Sequence, residues 1–105
     1  MRRWLLRILK RIHESAAAGR LRLTYKAEAE ALLLGFSPDD VCEILAGLDA
    51  EDCAGRLASA TTGEWMYVFK PDIEGQIIYV KVLLRENCVV VSFHEDAGGR
   101  HEEDE

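Results

Sequence analysis

The sequence predicts an α+β domain, with helices packed on one face of a mostly antiparallel sheet. Apolar residues recur at helical spacing in the first part of the chain. Three segments rich in β-branched and aromatic residues follow in the last part, with only turn residues between them. Helices first and strands last build a sheet with its helices gathered on one side, not a βαβ alternation. At 105 residues, 49% hydrophobic and 30% charged, the chain has the size and balance of one ordinary domain. It lacks the apolar-poor, charge-rich composition of a natively unfolded protein.

From Arg2 to about Ala18, Trp4, Leu5, Ile8, Leu9 and Ile12 mark one helix face, while Arg3, Arg7, Lys10, Arg11 and Glu14 fill the other. Gly19 closes this helix, and Leu21, Leu23 and Tyr25 then alternate with Arg20, Arg22, Thr24 and Lys26 as a short half-buried strand. Trp4 and Tyr25 are expected to pack. Ala27 to Leu34 is rich in helix formers and ends at Gly35. Ser37-Pro38-Asp39-Asp40 reads as an N-cap, a proline at the first helical position and an acid pair favoured by the helix dipole, so another helix runs from Pro38 to about Leu48. Asp49 to Asp52 reads as a helical turn or loop, and Arg56 to Thr61 as an ambiguous first strand of the C-terminal sheet. The clear strands are Trp65 to Lys70, Gln76 to Leu84 and Cys88 to His94, separated by the turns Pro71–Gly75 and Arg85–Asn87. Residues 1–97 are expected to form the single domain and residues 98–105 a disordered acidic tail, since Glu95 to Glu105 hold six acids, one Arg and two glycines. Swinging back over a basic sheet face, such a tail could restrain it; as a solvated end it would do nothing.

The longest apolar stretch, Trp65 to Phe69, is too short to span a membrane, and Arg7, Lys10 and Arg11 interrupt any signal-like segment. The expectation is a cytoplasmic protein. Cys42, Cys53 and Cys88 are odd in number and widely spaced, and His13, His94 and His101 are scattered, so neither a disulfide framework nor a metal site is expected, and no cofactor. The net charge of −6 conceals a split: residues 1–26 carry eight of the thirteen Lys and Arg against one acid. A basic end on an acidic chain can face a polyanion or an acidic partner.

Side chains alternate along a strand, so Tyr79 and Lys81 share one face while Ile78, Val80, Val82 and Leu84 share the other. In the last strand Ser92 and His94 are expected together, opposite Val89, Val91 and Phe93. Helices on the aliphatic face would leave Tyr79, Lys81, Ser92 and His94 open, with Lys70 at the neighbouring strand end. A phenol, an imidazole and ammonium groups suit metal-free cleavage of an RNA phosphodiester, which needs a base for the 2′-hydroxyl, an acid for the leaving oxygen and cations for the phosphorane. The same residue types also keep exposed sheet faces soluble, and spacing alone leaves both readings open.

The ordered set Val41-Cys42-Glu43-Ile44-Leu45-Ala46-Gly47-Leu48, Trp65-Met66-Tyr67-Val68-Phe69-Lys70-Pro71, Gly75-Gln76-Ile77-Ile78-Tyr79-Val80-Lys81 and Val89-Val90-Val91-Ser92-Phe93-His94-Glu95 resembles the MqsR-type mRNA interferase toxins of bacterial toxin–antitoxin pairs. The resemblance implies a RelE-like fold and mRNA cleavage, ribosome-linked or free, without metal. Attack of the ribose 2′-hydroxyl would leave a 2′,3′-cyclic phosphate or its hydrolysed 3′-phosphate. It also implies neutralisation by a cognate antitoxin that often carries zinc-binding and helix-turn-helix domains. Tyr79 and Lys81 stand at family positions of a Tyr and a Lys, and Lys70 at that of a basic residue before the proline. His94 stands where better-known members have Lys, Met66 replaces a glutamine, and Arg56 approximates an upstream Lys. The implied catalytic set is Lys81, Tyr79, His94 and Lys70, with Arg56, Lys70 and Lys81 on RNA. The alternative is a non-catalytic toxin-fold module that binds an antitoxin or regulatory partner.

Overall fold

The computed structural model describes residues 2–96; the expected acidic tail lies outside the described residues. Helix α1 (Arg3–Ala17) buries Leu5, Ile8, Leu9, Ile12 and Ala16 on one face. Gly19, at φ 72°, ends it in the left-handed conformation that glycine adopts without steric cost. Strand β1 (Leu21–Leu23) is shorter than its alternation predicts, because the Thr24 hydroxyl accepts the Ala27 amide at 3.1 Å and caps helix α2 (Tyr25–Leu33). Tyr25, expected to pack, thus becomes the first helical residue and is 93% exposed. Helix α3 (Pro38–Ala46) begins at the expected proline. Its capping box is reciprocal: Ser37 Oγ accepts from the Asp40 amide at 3.1 Å, and Asp40 Oδ2 accepts from the Ser37 amide at 2.9 Å.

A 3₁₀ turn (Ala50–Asp52) leads into β2 (Cys53–Ala58), so the ambiguous stretch at Arg56 to Thr61 is strand only as far as Ala58, and the strand begins three residues before it. Strands β3 (Trp65–Phe69), β4 (Asp72–Ile73), β5 (Gln76–Leu84) and β6 (Cys88–Glu95) complete the described chain. The sequence reads Pro71–Gly75 as a plain turn, but β4 forms inside it and pairs with Ile77 and Gln76. Glu74 (φ 55°) and Gly75 (φ 89°) both take positive φ, the conformation that lets two residues reverse a hairpin without splaying its strands.

The sheet runs β1-β6-β5-β3-β2, with β1 parallel to β6 and the other pairs antiparallel. A bulge corrects the expected faces of β6. Lys81 lies opposite Ser92 but Val82 lies opposite Val90, so Val91 is the extra residue. Strict alternation from Phe93 puts Val89 and Val91 in the core; across the bulge it is Cys88 and Val90 that join Phe93, Ile78, Val80 and Val82 there.

The core lies between this sheet face and the helices, closed by Val41, Leu45 and Leu48 and by the α2 alanines Ala27 and Ala31. Helix α2 continues along the edge of β6 beyond β1, where the Glu30 carboxylate accepts the Phe93 amide at 2.9 Å. The edge amide is therefore satisfied by a side chain instead of a strand. Cys42, Cys53 and Cys88 are not joined in a disulfide; burial pushes the Cys88 thiol up to about 12, with Arg11 opposing. Among the described residues no helix is long and apolar enough to cross a membrane.

Candidate active site

Residues directly opposite one another in paired strands point to the same side of a sheet. Tyr79 is opposite His94, and Lys81 is opposite Ser92 and Val68, so these side chains share the face turned away from the helices. The Tyr79 and His94 rings stack, with centroids 4.9 Å apart and planes 10° from parallel. Nζ of Lys70 and of Lys81 each lies 5.9 Å from the Tyr79 ring centroid. The Lys70 amide donates to the Asp52 carbonyl at 2.7 Å, which holds the end of β3 beside the ring.

The two ammonium groups differ electrostatically. Lys70 Nζ is 3.7 Å from Asp96 Oδ2, and the two side chains are only 15% and 11% exposed. Among the described residues no carboxylate forms an ion pair with Lys81, so its positive charge is the less neutralised. His94 Nδ1 lies 2.9 Å from the Glu95 carbonyl oxygen. A carbonyl only accepts, so Nδ1 carries a proton, and Nε2 is the nitrogen that can take up or release the other.

Lys26 enters this face from α2, its ammonium donating to Ser92 Oγ at 3.2 Å while pairing with Glu30 at 3.0 Å. Burial alone would raise the Glu30 carboxyl. The Phe93 amide, Lys26 and the His94 charge together hold it below its ordinary value. Sequence reading missed Lys26 and Glu30 by assigning Lys26 to the strand. The available signal was Thr24 as an N-cap followed by a lysine and a glutamate at i,i+4.

Lys70, Tyr79, Lys81 and His94 thus come together; Arg56 does not join them. It is opposite Tyr67, which is opposite Val82 of the core, and so projects from the helix side of the sheet. Its guanidinium carbon lies 4.7 Å from the Trp4 ring centroid and 4.0 Å from that of Trp65, and its Nε is buried without a partner. Trp4 packs as expected, 5.5 Å from Tyr67. Met66, opposite Leu83, is on the open face, where its thioether cannot donate a hydrogen bond. Among the described residues no group of three or more His, Cys, Asp and Glu side chains is placed to hold a metal ion.

The open face therefore offers an imidazole, a phenol stacked upon it and the ammonium groups of Lys70 and Lys81 beside the phenol. It can accept a proton, donate one and stabilise negative charge within one small area. A family model described as "Motility quorum-sensing regulator, toxin of MqsA" matches residues 7–95. The chain is also similar to the mRNA interferase toxin MqsR of Escherichia coli (strain K12), 26% identical over 88 residues that cover 83% of this chain and 90% of that protein. The matched segment reaches from α1 to the end of β6 and contains all four clustered side chains; this chain belongs to the MqsR toxin family.

Proposed function

We propose that this chain is a toxin endoribonuclease on a RelE-like scaffold, cutting mRNA in the cytoplasm at the Tyr79–His94 face without a metal. The observation that carries the reading is the stacked imidazole and phenol with two ammonium groups beside them on the sheet face turned away from the helices. His94 Nε2 takes the proton of the ribose 2′-hydroxyl as that oxygen bonds to phosphorus. Lys81, and Lys70 to a lesser degree because of Asp96, stabilise the phosphorane dianion. Tyr79 gives a proton to the departing 5′-oxygen, leaving a 2′,3′-cyclic phosphate and a 5′-hydroxyl. Arg56 contributes at a distance, clamping α1 to the sheet edge between two indoles.

The family description names MqsA as the toxin's partner, and the partner proposed here is a cognate antitoxin with zinc-binding and helix-turn-helix domains. The test is RNA cleavage in EDTA by the wild type, His94→Ala and Lys81→Ala, with end-group analysis of the products. Wild-type cutting with cyclic-phosphate ends, reduced about 10²-fold or more in each variant, is expected. A wild type that binds antitoxin tightly yet cuts no RNA, free or on ribosomes, would overturn the nuclease reading in favour of a non-catalytic binding module.

A further inference from the structure

A groove of about 390 Å³ lies between β1 and the β5–β6 turn, bordered by Arg22, Thr24, Asn87 and Val89 together with Arg85 and Glu86. This volume falls in the range of small-ligand sites. Arg22 is opposite Val89, and Val89 is opposite Leu83, which neighbours Lys81 on the open side; Arg22 therefore projects from the same sheet face as Tyr79 and His94. It is exposed, and among the described residues no carboxylate pairs with it. Arg85, by contrast, is held by Glu64 through bonds of 2.7 and 3.0 Å and has little charge to offer.

The groove is collinear with the active site. Residues 89 to 94 of β6 connect them, a span of roughly 16 Å at ~3.3 Å per residue, longer than a single nucleotide unit stacked at ~3.4 Å. Lys26 stands between the two ends, its ammonium on Ser92 and its charge shared with Glu30. Cations thus recur along one strand at its far end, its middle and its catalytic end, the pattern by which a groove tracks a nucleic-acid backbone. At the far end Val89 supplies an apolar floor for a base, and the Asn87 amide can both donate to and accept from a base edge.

We propose that this groove is a second nucleotide subsite, which binds a base and phosphate of the mRNA away from the scissile bond through Asn87, Val89 and Arg22, unpaired among the described residues. The inference rests on the nuclease reading and extends it to substrate positioning. Arg22 and Asn87 act on cleavage by positioning the strand, since neither touches the reacting atoms.

The test measures binding of a labelled 2′-deoxy hexanucleotide, which cannot be cut, by fluorescence anisotropy across a salt series, alongside cleavage of the matching RNA. Arg22→Ala is expected to weaken binding about tenfold and to lower the slope of log affinity against log salt by about 0.7, the loss of one single-strand phosphate contact. Asn87→Ala should weaken binding without changing that slope. Arg7→Ala removes an equal charge from the opposite side of the molecule and measures the non-specific share. Cleavage by Arg22→Ala should show a raised KM with a smaller change in kcat. If the wild type binds and cuts but Arg22→Ala matches it, or merely matches Arg7→Ala, the subsite is refuted and the nuclease reading stands. If the wild type neither binds nor cuts, both fall. Thermal midpoints of the variants within a few degrees of wild type would show that the losses are not those of an unfolded chain.

Discussion

Replacing Glu30 tests whether a helix side chain closes the edge of β6 beyond β1. Its carboxylate accepts the Phe93 amide at 2.9 Å and pairs with Lys26 at 3.0 Å, with the Glu30 side chain 21% exposed and that of Lys26 62% exposed. A hydrogen bond to a charged group contributes about 1.5–3 kcal/mol, and leaving its buried partner unmade brings the larger part of that cost. The Lys26 pair, mostly in water, adds about 0.3–0.5 kcal/mol. Alanine's better helix propensity returns a few tenths of a kcal/mol. Glu30→Ala is therefore expected to lower unfolding free energy by about 2–3 kcal/mol, a large fraction of the 5–15 kcal/mol typical of a domain. Glu30→Gln keeps an acceptor for Phe93 and loses only the charge, so about 1 kcal/mol is expected. Because the folded carboxyl titrates below its ordinary value of 4.5, the charge contribution is fully present above that pH. It disappears as pH falls through the depressed native value. Urea unfolding of wild type and both variants between neutrality and about pH 3 reads all of this. An alanine variant within about 0.5 kcal/mol of wild type, or a glutamine deficit that persists unchanged at the acid end, would refute the reasoning.

Lys81→Ala should reduce kcat more than Lys70→Ala, because Asp96 already offsets part of the Lys70 charge; equal losses in single-turnover cleavage would contradict that ranking. Ile12 is fully buried, and Ile12→Ala should cost about 2–5 kcal/mol in denaturant unfolding. Iodoacetamide should modify Cys88 only after unfolding, since its thiol is 1% exposed and titrates at about 12, whereas the partly exposed Cys42 and Cys53 should react first; peptide mass mapping over time distinguishes the sites. Arg56→Ala should lower the thermal midpoint and change tryptophan emission while leaving the pH profile of cleavage unmoved, and Arg56→Met should recover most of the stability by refilling the space between the indoles.

Where local rules decide the structure, the sequence was legible. The α1 stripe, the Ser37-Pro38-Asp39-Asp40 start of α3 and the alternation of β5 each rest on contacts within a few residues, and Tyr79 and Lys81 emerged on the open face accordingly. The three long C-terminal strands came through in place, as did the faces of Ser92, Phe93 and His94, but those of Val89 and Val91 did not, because a bulge at Val91 depends on pairing with β5 and leaves no mark in a run of three valines. Thr24 offered two incompatible roles, a strand residue or a cap, and the capping bond won. This shift exposed Tyr25 and brought Lys26 to Ser92. Arg56 was misleading for a related reason: arginine reads as solvent-facing, yet stacking between Trp4 and Trp65 lets it lie on the helix side. That the four clustered residues lie together was visible in period two once the strands were paired; the stacking of Tyr79 on His94 was not.

The parallel pairing of β1 with β6 has a consequence for the order of events in the cell. Leu21–Leu23 must find Cys88–Val90 across about two thirds of the chain, and such a long loop closes only when enough other contacts reward the lost entropy. Until β6 has been synthesised, β1 has no neighbour, the edge of β5 is bare and His94 does not yet exist. A nascent chain therefore has no Tyr79–His94 face until β6 has emerged and paired with β5. The proposed cleavage face is thus completed only when β6 joins the sheet.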